Sequence, residues 1–138
     1  MTSITDSPAF KLHRVTALID RLADDYLQRE HRIRYAPMLV MLMVRVLGPT
    51  SQQAIAEALD VSRASVSQRV TQLVSDGLLS TEKVDGRTSR VSFTLEGTAL
   101  FDRAWAGLEA HQNGLEQGVD EAALVAQLDR IIANAASL

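Results

Sequence analysis

The side chains best suited to chemistry lie together between Ser62 and Gly77, and none of them is acidic before Asp76. The polar and cationic members of this stretch are Arg63, Ser65, Ser67, Gln68, Arg69, Thr71 and Gln72. Hydroxyl, amide and guanidinium groups without neighbouring carboxylates complement a phosphate backbone and the base edges of a major groove. The stretch is therefore predicted to contact nucleic acid.

A helix has to present these side chains on one surface. Ser62 is a residue type that caps helices and Gly77 is one that ends them, so the pattern predicts a helix between the two. The large apolar residues fall at helical spacing on a single stripe, formed by Val66, Val70, Leu73 and Val74. We expect this stripe to be buried and the polar set to point outward, as in a recognition helix.

A shorter helix is predicted directly before it. Ser51 can cap this helix, and Ile55, Ala56 and Leu59 form its apolar face. Asp60 then lies in a turn position that favours left-handed backbone geometry. Two short helices joined by so tight a turn predict a helix-turn-helix, although a generic corner of two helices has the same pattern.

A β-hairpin is predicted after the helix-turn-helix. Leu78–Val84 and Arg87–Phe93 have strand character, and Asp85-Gly86 between them is a strong signal for a two-residue turn. Such a turn pairs Val84 with Arg87, Ser80 with Val91 and Leu78 with Phe93. We therefore expect an inward face formed by Leu78, Val91 and Phe93.

The tip of this hairpin is basic. It carries Arg87, with Lys83, Thr88 and Arg90 close by. A basic hairpin directly after a helix-turn-helix is a wing that can place a cation in the minor groove. The alternative is an arginine that is merely exposed to solvent.

Four further helices are predicted from caps and periodicity. They begin at Ser7-Pro8, near Pro37, at Thr94 and at Asp120, and the first three end near residue 29, at Leu47 and near Asn113. The polar break from Gln28 to Arg34 carries three arginines, which form either a solvated corner or a phosphate contact. The helix containing Met38–Val44 is apolar nearly all round, so it should be central and buried.

Composition narrows the class of protein. The 138 residues fit one domain, and the absence of cysteine excludes disulfides, thiolate metal sites and cysteine nucleophiles. The net charge is −3, but residues 33–95 carry +2 and residues 96–138 carry −5, so the acidic excess lies away from the predicted nucleic-acid face. No signal peptide or membrane-spanning run is recognisable, and we expect a soluble cytoplasmic protein.

In the order of these elements the chain resembles the MarR family of bacterial transcription regulators. The residues that carry the resemblance are the run from Ser51 to Val70, then Leu73, Gly77-Leu78, Asp85-Gly86-Arg87 and Phe93-Thr94-Leu95-Glu96-Gly97. The resemblance implies a mostly α fold with a small β-hairpin wing, and a symmetric dimer whose arms come from both chain ends. It divides the chain into a dimerisation arm (1–32), a winged helix-turn-helix domain (33–95) and C-terminal dimerisation helices (96–138).

The same resemblance implies recognition helices in successive major grooves and Arg87 in the minor groove. Asp85 either orients Arg87 or stabilises the turn. We expect Arg63, Ser65, Gln68, Arg69 and Gln72 near bases, and Ser51, Ser62 and Ser67 near phosphates. A small aromatic ligand, as many members of the family bind, would lie near His13, Arg14, Met38, Met41 and Trp105, although methionines in a helix of this kind mostly fill a core.

The leading hypothesis is a dimeric DNA-binding transcriptional regulator that occludes a promoter. An alternative is a winged-helix dimer that acts only through protein contacts, which the acidic C-terminal segment and a wing about two residues shorter than is usual in the family both allow. Thr81 also stands where the family often has arginine. Enzymatic activity is not expected, because no nucleophile or phosphate-binding motif occurs and His13, His31 and His111 lack metal-ligand spacing. No cofactor or metal is therefore predicted.

Overall fold

The computed structural model describes residues 3–138, so the first two residues of the predicted 1–32 arm lie outside the described residues. Within them the chain forms six α-helices and one two-stranded antiparallel sheet. These are α1 (Pro8–His31), α2 (Tyr35–Leu47), α3 (Gln52–Leu59), α4 (Arg63–Ser75), β1 (Leu79–Lys83), β2 (Ser89–Phe93), α5 (Leu95–His111) and α6 (Glu121–Ala136), preceded by a 3-10 turn at Ile4–Asp6. The predicted class, mostly α with a hairpin wing, is confirmed.

Every predicted helix start except that of α2 has a capping side chain; α2 begins at Tyr35, and Arg34 before it makes no side-chain capping bond. The Ser7 hydroxyl accepts a hydrogen bond from the Phe10 amide at 3.3 Å, and the Asp120 carboxylate accepts one from the Ala123 amide at 3.1 Å. Helix α1 ends two residues beyond the predicted end near residue 29. The helix continues to His31 and ends where Arg32 adopts a left-handed conformation with φ 56°, so only the last part of the expected polar break is irregular.

Helix α2 is the centre of the core. Four of its residues, Met38, Val40, Met41 and Val44, are buried, whereas Val46 and Leu47 at its end are exposed. The helix contacts α1, α3, α4 and β2, which explains why its sequence is apolar nearly all round. The two helices of the helix-turn-helix, α3 and α4, are therefore built onto a buried aliphatic helix.

The hairpin register differs from the prediction by one residue. Leu79 pairs with Phe93 and Thr81 with Val91, so Leu79, not Leu78, shares the buried face with Val91. Leu78 and Phe93 are only half-buried. A shift of one residue moves every side chain of a strand to the other face of the sheet, and here it follows from a loop longer than two residues.

The connection between α2 and α3 is joined to the sheet. The Thr50 amide donates to the Val91 carbonyl at 3.0 Å, and the Val91 amide donates to the Thr50 carbonyl at 2.6 Å. Because Thr50 directly precedes the cap of α3, this bridge attaches the start of the helix-turn-helix to the base of the wing.

Helix α5 is attached to the same domain through an arginine. The Arg45 guanidinium of α2 lies 5.5 Å from the ring centroid of Phe93 and 5.2 Å from that of Phe101, and it forms an ion pair with Asp102. Phe101 in turn stacks on Trp105 at 5.6 Å. Cation–π contacts of this kind link α2, β2 and α5.

The chain divides into two compact units, one reaching Leu108 and the other formed by Glu109–Leu138. Helix α5 ends at His111, slightly before the predicted Asn113. Helix α6 has no buried residue, and the apolar side chains on its surface include Leu124, Val125, Ile131 and Ile132. Over the described part of the chain, every helix is too short or too polar to cross a membrane.

Candidate nucleic-acid interface

Helix α4 has one buried face and one polar face. Val66, Val70 and Leu73 are at most 2% exposed, which confirms three members of the predicted stripe. Val74 is 37% exposed, so its assignment to the buried stripe was wrong. The narrower apolar stripe leaves a wider solvent-exposed surface on the helix.

Apart from Val74, the exposed surface of α4 is formed by side chains that can hydrogen-bond, together with the small residue Ala64. Gln68 and Gln72, which the sequence predicted, are exposed, and so are Ala64 and Thr71. The Gln72 amide group donates to the Asp76 carboxylate at 3.0 Å, which holds it near the end of the helix. Ala64 was missed because a methyl group carries no polar signal, although it can contact a thymine methyl group.

Both helices of the helix-turn-helix begin with a serine cap. The Ser51 hydroxyl accepts from the Ala54 amide, and the Ser62 hydroxyl accepts from the Ser65 amide, each at 3.1 Å. Each hydroxyl keeps its own hydrogen to donate to a phosphate oxygen. The turn between the helices is closed by Asp60, which has the predicted left-handed conformation with φ 54°.

A polar cavity of about 330 Å³ lies where the two helix starts meet the wing. Its lining residues carry two positive charges and no negative charge, and they are Ser51, Gln52, Gln53, Arg63, Arg87, Thr88 and Ser89. Three of these were predicted as DNA contacts from separate parts of the sequence. The other four were not predicted as contacts: Gln52 and Gln53 directly follow the Ser51 cap, Ser89 lies two residues after Arg87, and Thr88 was placed only near the tip of the wing.

The wing turn is organised by Asp85. Its carboxylate accepts hydrogen bonds from the backbone amides of Arg87 at 2.9 Å and Thr88 at 2.8 Å. These two bonds lower the pKa of the Asp85 carboxyl because they stabilise its charged form, and the bond from the Arg87 amide has the larger effect. The bonds go to the backbone, so Asp85 stabilises the turn and leaves the Arg87 side chain exposed.

Lys83 and Arg90 lie on opposite faces of the hairpin. Lys83 pairs with Ser89, whereas Arg90 pairs with Glu82, and neighbouring positions along a strand alternate between faces. Arg90 therefore has a carboxylate opposite it, and Lys83 does not. The two residues were predicted together, but one surface cannot use both in the same way.

Arg69 is separated from the other predicted contacts. It is half-buried and lines a second cavity, of about 450 Å³, with residues from α1, from the start of α2 and from the turn before α4. Asp24 of α1 holds this region together, since it accepts from the Arg34 guanidinium and from the Tyr35 amide, both at 2.8 Å. Burial, followed by the charge of Asp20, raises the pKa of the Tyr35 phenol in the same cavity.

The remaining predicted residues are dispersed. Ser65 and Ser67 are half-buried on α4, and His13 and Arg14 are exposed on α1. Met38 and Met41 are completely buried in the core, and Trp105 is half-buried against Phe101. In the described part of the chain, no three His, Asp or Glu side chains are grouped as a metal site would require.

The comparisons with known proteins agree with this geometry. A model described as MarR family matches residues 36–88. An uncharacterised HTH-type transcriptional regulator of Bacillus cereus is 30% identical over 94 residues, which cover 68% of this chain and 63% of that relative. The chain thus matches less than two thirds of the length of this curated relative.

Many solved structures are similar in fold, among them CouR and MarR. CouR from Rhodococcus jostii RHA1, bound to p-coumaroyl-CoA, gives a TM-score of 0.83 at 19% identity and covers 95% of this chain and 93% of its own. A mutant MarR from E. coli complexed with operator DNA gives a TM-score of 0.77 at 21% identity, and the alignment covers 97% of this chain and 99% of the MarR chain. At these identities the likeness concerns the fold. The matched family model, the curated relative and the shared winged-helix architecture together show that the chain belongs to the MarR family.

Proposed function

We propose that the protein is a DNA-binding transcriptional regulator, acting in the cytoplasm as a homodimer on a pseudo-palindromic promoter site and repressing by occlusion. The observation that carries this proposal is the cavity shared by Ser51, Arg63 and Arg87 beside the exposed, polar surface of α4. The two arginines and the capping hydroxyls of Ser51 and Ser62 suit a phosphate backbone, and the Ser51 hydroxyl lines the cavity itself. Gln68 and Gln72 on the exposed surface of α4 suit base edges. The MarR complex with operator DNA supports the same use of this fold.

In this arrangement the roles divide by exposure. Gln68 and Gln72, exposed on the outward surface of α4, contact bases, since a glutamine amide can bond adenine through two atoms in the major groove. Arg63 was expected near bases, but it lines the cavity together with the Ser51 cap, and we therefore assign it to phosphate. Arg87 enters the minor groove from the wing. A half-site separation of about one helical turn follows from two-fold symmetry.

Selection of DNA from a random pool, followed by binding measurements over a range of salt, tests the proposal. We expect an enriched palindrome and a steep fall in affinity with salt. Arg63→Ala removes one phosphate contact from each protomer, so the slope of log K against log salt should become shallower by about 2, at about 0.9 per phosphate. Arg103→Ala, which removes an exposed cation from α5, is the matched control and should leave the slope unchanged.

Gln68→Ala tests base reading separately. It should relax the sequence preference at one position of each half-site by about 1–3 kcal/mol while the salt slope stays unchanged. If Gln68→Ala lowered the affinity for all DNA sequences equally, the result would contradict a role of Gln68 in base reading. Enrichment of no palindrome by a protein that still dimerises would instead favour the alternative, a winged-helix dimer that acts through protein contacts.

Dimerisation is proposed for the two chain ends. Apolar residues at helical spacing are exposed on α1 (Val15, Leu18, Leu22) and on α6 (Leu124, Val125, Ile131, Ile132). Exposed apolar surface of this kind usually marks an interface. Sedimentation equilibrium should give a dimer for the wild type and monomer for Leu18→Glu combined with Ile131→Glu, whereas an unchanged dimer would contradict the proposal.

A small aromatic ligand is proposed to release the DNA. The cavity of about 450 Å³ is of ligand size and combines apolar walls (Ala36, Leu39, Val61) with Tyr35. Arg34 is paired with Asp24, and the other charged residues of the lining, Arg21, Arg69 and Asp20, leave a net charge of +1 that favours a carboxylate. The CouR complex shows that a protein of this fold binds an aromatic acyl-CoA.

Calorimetric titration with a panel of hydroxybenzoates and hydroxycinnamates tests the ligand site. Binding should weaken DNA affinity and should be lost in Leu39→Glu, which introduces a carboxylate into the cavity. Binding retained in Leu39→Glu but lost in Trp105→Ala would instead favour the site predicted from the sequence.

A further inference from the structure

A single hydroxyl joins the end of α4 to the start of α5. The Thr94 hydroxyl donates to the Gly77 carbonyl at 2.7 Å and accepts from the Gly97 amide at 2.9 Å. Gly77 is the residue that ends α4: its φ is 78°, and the amides of Gly77 and Leu78 return to the carbonyls of Val74 and Leu73 at 3.0 and 2.9 Å. Thr94 thus bonds to both helix ends at once.

The two helix ends also touch through their backbones. The Thr94 amide donates to the Leu78 carbonyl at 3.2 Å. A Cβ atom placed on Gly97 would lie 1.8 Å from the Leu78 carbonyl oxygen, so the first turn of α5 approaches this residue as closely as glycine permits. Contacts between backbones are stiffer than contacts between long side chains, so they resist a change in the angle between the helices.

A small change in that angle would matter for reading DNA. Helix α4 has 13 residues and is about 20 Å long. Tilting it by about 10° at its Gly77 end moves its N-terminus, where Arg63 lies, by about 3.4 Å, which is the rise of one base pair. A small change in the helix angle at Gly77 is therefore large enough at Arg63 to change which half-site spacing fits.

We propose that Thr94 is a positioning residue that sets the angle of α4 relative to α5 and thereby determines which half-site spacing the dimer accepts. The inference rests on the proposed function as a dimeric DNA-binding protein, because α5 opens the C-terminal segment proposed to dimerise. Thr94 itself is half-buried and acts only through α4. Its effect is on spacing, whereas Gln68 and Arg63 act on sequence and phosphate.

Binding to a set of operators tests this role. The palindrome selected by the wild type is resynthesised with its half-sites moved one or two base pairs closer or farther apart. Thr94→Val keeps the shape of the side chain but removes both hydrogen bonds, and Thr94→Ser keeps the hydroxyl. We expect the wild type to prefer one spacing at least tenfold, Thr94→Ser to stay within about twofold of that ratio and Thr94→Val to lose most of it.

The ratio between spacings separates positioning from a merely structural role. Partial unfolding lowers the fraction of competent protein and weakens every operator by the same factor, which leaves the ratio unchanged. An unchanged ratio in Thr94→Val would overturn the inference. If Thr94→Val does not fold, Thr94→Ala removes the same two bonds with a smaller side chain and is judged by the same ratio.

Hydrogen exchange gives a readout that does not need DNA. The Gly97 amide should exchange at least tenfold faster in Thr94→Val than in the wild type or Thr94→Ser, because its acceptor is gone; unchanged exchange would count against the junction. A wild type that binds none of the operators would overturn the proposed function and this inference with it. A wild type and a Thr94→Val variant with equal spacing preference would overturn this inference alone.

Discussion

Replacing Gly97 by alanine should destabilise the protein, although helix propensity alone predicts the reverse. Gly97 is the third residue of α5, where alanine would be favoured by about 1 kcal/mol in an isolated helix. In the folded chain the added Cβ would lie 1.8 Å from the Leu78 carbonyl oxygen and 2.8 Å from its carbon. A carbon–oxygen contact ordinarily needs about 3.3 Å or more, so about 1.5 Å must open between two backbones.

The cost of that opening exceeds the gain in propensity. Inserting a methyl group into a packed site costs about 1–3 kcal/mol, and the displacement strains the two hydrogen bonds of Thr94, each contributing about 1 kcal/mol. After subtracting about 1 kcal/mol for propensity, we expect the free energy of unfolding to fall by about 2–4 kcal/mol.

Urea denaturation at a fixed protein concentration measures this change. Two other glycines are matched controls. Gly114→Ala meets nothing within 4 Å and should change stability little, while Gly107→Ala meets the Tyr26 hydroxyl at 2.1 Å, the far end of a flexible side chain, and should be intermediate. A Gly97→Ala protein as stable as the wild type, or more stable, would refute the reasoning.

Three further outcomes follow from the same structure. Arg45→Met should lower the free energy of unfolding by about 1–2 kcal/mol through the loss of two cation–π contacts. Asp102→Asn removes only the ion pair and should lower it by less than about 1 kcal/mol. Equal losses for the two variants in urea denaturation would contradict this assignment. Asp60→Val should cost about 1–2 kcal/mol because φ is 54°, and Asp60→Gly should cost nothing, so equal stability of the two variants would be inconsistent with the left-handed turn. The pKa of the Asp85 carboxyl lies below its ordinary 3.8, so its stabilisation of the wing is present above pH 3.8 and is lost as the pH falls through the folded-state pKa. In a pH titration followed by NMR, the Arg87 and Thr88 amide resonances should therefore shift with a midpoint below pH 3.8. A midpoint at or above 3.8 would show that the turn bonds are absent.

Local signals explain why the helices were predicted well. Ser51 and Ser62 each cap through a bond to an amide three residues away, and Gly77 ends α4 with bonds spanning a few residues. These interactions are complete within one turn of helix, so the local sequence contains both partners. The left-handed Asp60 was predictable for the same reason.

The wing register was not predictable from the same kind of signal. Asp85-Gly86 indicated a two-residue turn, but the Asp85 carboxylate binds two amides further along, and Val84 donates to the Thr88 carbonyl at 2.9 Å. The loop is longer as a result, and the paired residues shift by one. Leu79 then becomes the buried residue, an outcome that depends on packing against the rest of the domain.

The candidate site divides in the same way. Ser51, Arg63 and Arg87 were each predicted from their own segment, yet only the fold brings them around one cavity, since Thr50 bridges to Val91 and so holds the start of α3 against the wing. Arg69 was predicted with the same residues, but a rotation around α4 carries it to the other cavity.

The sequence alone determined which segments form helices, where those helices begin, and that α4 carries a carboxylate-free polar face. Caps and periodicity act over a few residues, and this is why one sequence sufficed for them. The tertiary structure alone decided the register of the wing, the separation of Arg69 from Arg63 and the junction of Thr94 with Gly77 and Gly97. These depend on contacts between residues up to tens of positions apart, whose geometry is fixed only when the core has packed.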